Sequence, residues 1–69
     1  MRISEKLASA RKQRHMSLDM ASRYSGISKA TLWRYEHGRS RVPADKIPVL
    51  AELYGVNVAS ILGGDDQHA

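Results

Sequence analysis

The chain is 69 residues long, with no cysteine, a net charge of +4 and a sequence pI near 9.9. That length holds one small domain with a correspondingly small core. The lack of cysteine rules out a disulfide framework and a thiolate metal site, and no apolar run approaches the ~20 residues that cross a bilayer. The N-terminus carries one Arg and no long apolar stretch, so it does not read as a signal peptide, and a cytoplasmic protein is expected. The basic balance favours an anionic partner, nucleic acid before membrane surface.

The first segment, Ile3 to about Arg14, places Ile3, Leu7, Ala8 and Ala10 in a helical stripe between charges. Ser4 is a candidate cap. A second helix starts after Ser17, a candidate N-cap, and runs through Leu18, Ala21, Ser22 and Tyr24 to Ser25. Gly26 suits a left-handed residue that turns the chain. Ser28 is the next cap candidate, before a third helix from Lys29 to His37 that Gly38 closes. Leu32 and Tyr35 share one side of that helix; Lys29, Ala30, Trp33 and Arg34 share the other.

Residues Arg39 to Pro43 read as a loop. A fourth helix from about Ala44 to Tyr54 buries Ile47, Leu50, Ala51 and Tyr54, with Pro48 tolerable in its first turn. Val56 is expected to pack inward, and Asn57 caps a short last helix, Val58 to Leu62. The tyrosines Tyr24, Tyr35 and Tyr54 are expected to serve the core with the hydroxyl reaching out. The fold expected is therefore all-α, a bundle of five helices over residues 1–62, with 63–69 a flexible tail or the start of a linker.

Two helices joined by a short Gly-containing turn outline a helix-turn-helix. The outline alone is weak, because helical hairpins are common. Charge strengthens it: between Ser28 and Arg41 stand Lys29, Arg34, Arg39 and Arg41 against Glu36, which is +3 of the chain's +4. A cation cluster on one surface is what contact with phosphates requires. No catalytic arrangement is present, with neither paired carboxylates nor a Gly-rich phosphate loop. The acidic tail with Asp65, Asp66 and His68 is expected to be a solvated segment rather than a metal site. No metal, cofactor or small-molecule ligand is implied.

The stretches Gly26-Ile27-Ser28, Tyr35-Glu36-His37-Gly38 and Leu50 to Asn57 resemble the DNA-binding domain of lambdoid phage repressors and Cro proteins, the broad Xre-like group. The resemblance runs from Ile3 to Gly64. It implies that Lys29, Ala30 and Arg34 touch base edges, with Arg34 bidentate to a guanine and Ala30 against a thymine methyl. Trp33, unusual on that side, is expected over a sugar or a thymine methyl, or against the loop. Ser17 and Leu18, at the N-terminus of the second helix, match phosphate-contacting positions, as do His37 and Arg41. Arg39 is expected to add electrostatic contact with the phosphates. Arg11 and Glu36 match a buried structural ion pair. Arg41, Pro43, Val58 and Ile61 match a dimer surface.

The chain departs from that pattern in three places. Leu18 stands where many members carry a Gln whose amide reaches the backbone. Ala21-Ser22 stands where Leu-Ala is usual, with Met20 expected to fill the gap. The third departure is Trp33. The resemblance implies a homodimeric regulator on a two-fold operator of double-stranded DNA, a repressor of phage or bacterial type. An antitoxin-type autoregulator and a helical protein-interaction module without specific DNA binding are the competing readings.

Overall fold

Five helices form where the sequence places capping residues and apolar stripes, and the computed structural model describes them over residues 2–63. They are α1 (Ile3–Gln13), α2 (Leu18–Ser25), α3 (Lys29–Glu36), α4 (Lys46–Tyr54) and α5 (Val58–Leu62). No strand is present among the described residues, so the all-α expectation holds. The tail expected at 63–69 lies outside the described residues beyond Gly63.

The helix starts are local chemistry. Ser17 Oγ accepts the Met20 N–H at 3.0 Å, Ser28 Oγ accepts that of Thr31 at 3.2 Å, and Asn57 Oδ1 accepts that of Ser60 at 3.3 Å. Each satisfies an amide that has no partner within its own helix. The start of α1 differs from expectation. Ser4 lies inside the helix, and Arg2 is the extended residue at its head, with its N–H donated to Glu5 Oε1 at 3.1 Å. The Glu is an acceptor that reaches back, one half of a capping box. Helix α4 begins later than expected, at Lys46. Two tight turns precede it, in which the Lys46 and Ile47 N–H groups donate to the Pro43 and Ala44 carbonyls at 2.9 and 3.3 Å. Pro48 is then the third helical residue, where a missing N–H costs nothing.

The helix ends use one recurring closure. After α3, Gly38 is left-handed at φ 69°, and the Arg39 N–H donates to the Arg34 carbonyl at 2.9 Å. After α1 the same closure occurs with a non-glycine. His15 holds φ 58°, while the Met16 and His15 N–H groups donate to the Arg11 and Lys12 carbonyls at 3.2 and 2.9 Å. Both are Schellman motifs, which need a left-handed residue just past the helix.

The core collects Leu7, Leu32, Leu50 and Ile61, all under 2% exposed, around Ala21 and Ala51. Helix α1 packs on α3, α4 and α5; α2 packs on α3 and α4. Three side chains lie elsewhere than expected. Tyr24 is 68% exposed and Met20 41%, so neither serves the core; from α2, Ala21 is buried and Leu18 packs in part against the interior. Ile61, expected on a dimer surface, is 1% exposed. It is the residue α5 inserts into the core, where its apolar side chain is best placed.

Candidate nucleic-acid interface

Helix α3 divides into two faces. Leu32, Tyr35 and Glu36 are buried, and Lys29, Ala30, Trp33 and Arg34 are exposed. What fixes the orientation of that exposed face is partly electrostatic. The Arg11 guanidinium on α1 donates from Nε to Glu36 Oε2 at 2.8 Å and from Nη2 to Glu36 Oε1 at 3.0 Å. Its third arm, Nη1, donates to the Met16 carbonyl at 2.7 Å. One side chain therefore ties α1, the turn before α2 and α3 together. The hydrogen bond to Glu36 is the largest influence on Arg11 and holds its pKa above the ordinary arginine value, against the opposing effect of burial. The Tyr54 hydroxyl lies buried with no hydrogen-bond partner among the described residues. Burial first, and the nearby Glu36 charge second, push its pKa up to about 12.

The turn between α2 and α3 is set by Gly26 at φ 77° and by Ser25 Oγ, which accepts the Ile27 N–H at 3.0 Å. Ser28 also donates its hydroxyl to Thr31 Oγ1 at 2.8 Å. With these constraints the capped start of α2 lies beside the exposed side of α3. Lys29 Nζ reaches back to Asp19 Oδ1 at 3.2 Å, an exposed pair across the two helices.

Leu18, Lys29, Ala30, Trp33, Arg34 and Arg39 line one open groove. Its floor is apolar, from Leu18, Ala30 and Trp33, and three cations border it. Trp33 is 42% exposed and held in place by its neighbour one turn on. The His37 ring stacks on the indole with centroids 4.0 Å apart and planes 18° from parallel, and His37 Nδ1 donates to the Trp33 carbonyl at 2.8 Å. Trp33 is thus on the outer side of α3, not in the core.

Arg41 is not part of that groove. It lines a second one, of about 1030 Å³, together with Pro43 and Val58, and with Ile3 and Leu62, which the sequence did not point to. Three residues expected at a dimer surface are thus gathered in one place, and the fourth, Ile61, is buried in the core. Sequence reasoning also missed Asp19. Its only signal was an acid in the first turn of α2, which satisfies the helix dipole and says nothing about Lys29.

A capped α2, a left-handed turn and an α3 with one buried and one exposed cationic face define a helix-turn-helix within a five-helix domain. Residues 2–61 match the profile of the family described as a helix-turn-helix domain, and the chain belongs to that family. It is similar to YobD of Bacillus subtilis (strain 168), named as an uncharacterized HTH-type transcriptional regulator, at 34% identity over 62 residues. That match covers 90% of this chain and 55% of the relative, so the chain spans about half the length of the protein it resembles. Among the described residues no helix is long and apolar enough to cross a membrane.

Proposed function

We propose that this domain binds double-stranded DNA sequence-specifically, as the DNA-reading part of a transcriptional regulator acting in the cytoplasm. The observation that carries the reading is the exposed face of α3, where Lys29, Ala30, Trp33 and Arg34 stand together beside the capped N-terminus of α2. An exposed helix face of this width fits the major groove, and the amide groups at the start of a second helix suit phosphate. In this reading Arg34 and Lys29 address base edges and Ala30 and Trp33 make apolar contacts. Ser17, Leu18, His37, Arg39 and Arg41 lie against the backbone. Two copies meet through the groove bordered by Arg41, Pro43 and Val58, which sets half-sites about 34–36 Å apart on a two-fold operator. Repression follows from occupying such an operator.

The test is selection of bound sequences from random DNA, followed by titration of the selected site at rising salt. A consensus with two related halves is expected, with affinity that falls as salt rises. Arg34→Ala is expected to relax preference at one base pair per half-site by about 1–3 kcal/mol. Salt-independent binding, or no enriched sequence, would sink the reading and favour a protein partner for the cationic face.

A further inference from the structure

The cations that border the α3 groove are of two kinds. Arg34 and Arg39 have no side-chain partner among the described residues, whereas Lys29 is held by Asp19, with Nζ 3.2 Å from Oδ1. The pair joins the first turn of α2 to the first residue of α3. Its side chains are 71% exposed at Asp19 and 58% at Lys29, so it adds little to stability. Nor does it serve general affinity. The first amides of α2 have no helical partner and attract phosphate, and a carboxylate beside them weakens that attraction. It also withholds one cation from the DNA backbone.

The chemistry of an ammonium supplies a use for such a pair. It offers three N–H donors, accepts nothing and has no plane of its own to aim them. One donor given to Asp19 leaves two, and guanine presents two acceptors in the major groove, O6 and N7. Adenine keeps N7 but carries an amino donor where O6 stood, against which an ammonium has nothing to offer. An untethered lysine satisfies itself on the nearest phosphate, a contact that carries no sequence information. A tethered one that swings to a phosphate leaves the Asp19 carboxylate unpaired in the field of the DNA backbone.

We propose that Asp19 is a positioning residue that directs the Lys29 ammonium to guanine O6 and N7, and that the preference of Lys29 for guanine over adenine depends on it. The inference rests on the DNA-binding reading above and adds a residue outside α3 to the determinants of base choice. The turn fixes the approach of the two residues. Gly26 at φ 77° and the Ser28 cap, whose Oγ accepts the Thr31 N–H at 3.2 Å, set how the start of α3 faces α2.

The test uses the full chain and a site obtained by selection. Each G·C pair of the site is changed to A·T. Separately, each guanine is changed to 7-deazaguanine, which lacks the N7 acceptor and still pairs with cytosine. The position where both changes weaken the parent but not Lys29→Met is the one Lys29 addresses. There, Asp19→Asn is expected to lower the guanine-over-adenine ratio about twofold to fivefold, the worth of an exposed ion pair. Ratios at other positions should hold. Affinity should rise for both sequences and rise more for the adenine one, because the freed lysine turns to phosphate. Asp19→Glu, which keeps the charge, should retain most of the ratio. In a Lys29→Met background, Asp19→Asn should leave the ratio at that position unchanged. Circular dichroism checks that each variant is folded.

A selected site at which no position depends on Lys29 would overturn the proposal and leave the DNA-binding reading standing. So would an Asp19→Asn protein that keeps the parent's ratio, one that loses discrimination equally at every position, or one whose effect persists when Lys29 is replaced. Failure to enrich any DNA sequence would overturn the underlying reading, and the proposal with it.

Discussion

Arg11 and Glu36 stand 25 residues apart in the chain and share two hydrogen bonds of 2.8 and 3.0 Å, with the Glu36 side chain only 4% exposed. Such a pair repays most of its own desolvation and little more, so its removal and its replacement have different consequences. Arg11→Met leaves a buried carboxylate without its partner and frees the Met16 carbonyl. It should destabilise the domain by about 3 kcal/mol. Arg11→Met combined with Glu36→Leu should recover most of that loss. Urea unfolding of the parent, the single and the double variant checks this; a single variant within 1 kcal/mol of the parent would mean the pair fixes nothing.

Tyr54 gives the domain an alkaline limit. In the unfolded chain a tyrosine loses its proton near pH 10, whereas in the folded domain it does so near about 12. Below pH 10 both states hold the proton and the full stability is present. Between 10 and 12 the unfolded state ionises first, so stability falls as pH rises through that window, by roughly 2–3 kcal/mol in all. Tyr54→Phe should remove that component of the alkaline loss. At neutral pH it should be neutral or mildly stabilising, because the hydroxyl it deletes has no partner among the described residues. Unfolding free energies at pH 7, 10 and 11 for both proteins are the measurement.

His15 occupies a left-handed position that glycine holds more cheaply. His15→Gly should raise stability by about 0.5–1 kcal/mol, the strain relieved less the extra freedom of the unfolded chain. The reciprocal change is Gly38→Ala. Its new Cβ would lie 3.6 Å from Ser4 Oγ, an ordinary contact, so only the φ of 69° opposes it. A loss of about 1 kcal/mol is expected. Thermal unfolding that moves the two variants in the same direction would refute the backbone argument.

Asp19 holds Lys29 at 3.2 Å on the side where DNA is proposed to lie. The pair is exposed, so Asp19→Asn should change stability by less than about 1 kcal/mol. Its effect on DNA should be larger and of opposite sense. Removing a carboxylate from the phosphate side and releasing Lys29 should tighten binding several-fold and steepen its salt dependence. Weaker binding by Asp19→Asn would show instead that the carboxylate accepts a base amino group.

Much of the fold was legible because short polar residues write helix starts locally. Ser17, Ser28 and Asn57 each accept an amide three residues on, and no distant neighbour takes part. The spacing of Ile47, Leu50, Ala51 and Tyr54 likewise indicated the buried side of α4. The sense in which a short helix turns was harder to read. The eight residues of α2 give barely two turns, and Ala21, Met20 and Tyr24 support overlapping stripes. Only the packing of α3 and α4 decides that the small residue goes inward and the large ones stay out. Ile61 misled for the same reason, since five residues of α5 carry no period. The candidate site was legible residue by residue along α3. The groove was not, because Leu18 and Trp33 lie 15 positions apart and meet only once the turn is made.

Ile61 enters the core from the last helix, and α5 packs on α1 as well as on α4. The consequence is one of timing. A chain delivered from its N-terminus can form α1 to α4, yet one side of their shared core stays open to water until residue 61 arrives. The α3 face owes its orientation to that core and to Arg11. The face that carries Lys29, Ala30, Trp33 and Arg34 therefore depends, through the shared core, on the completion of a helix remote from it in sequence.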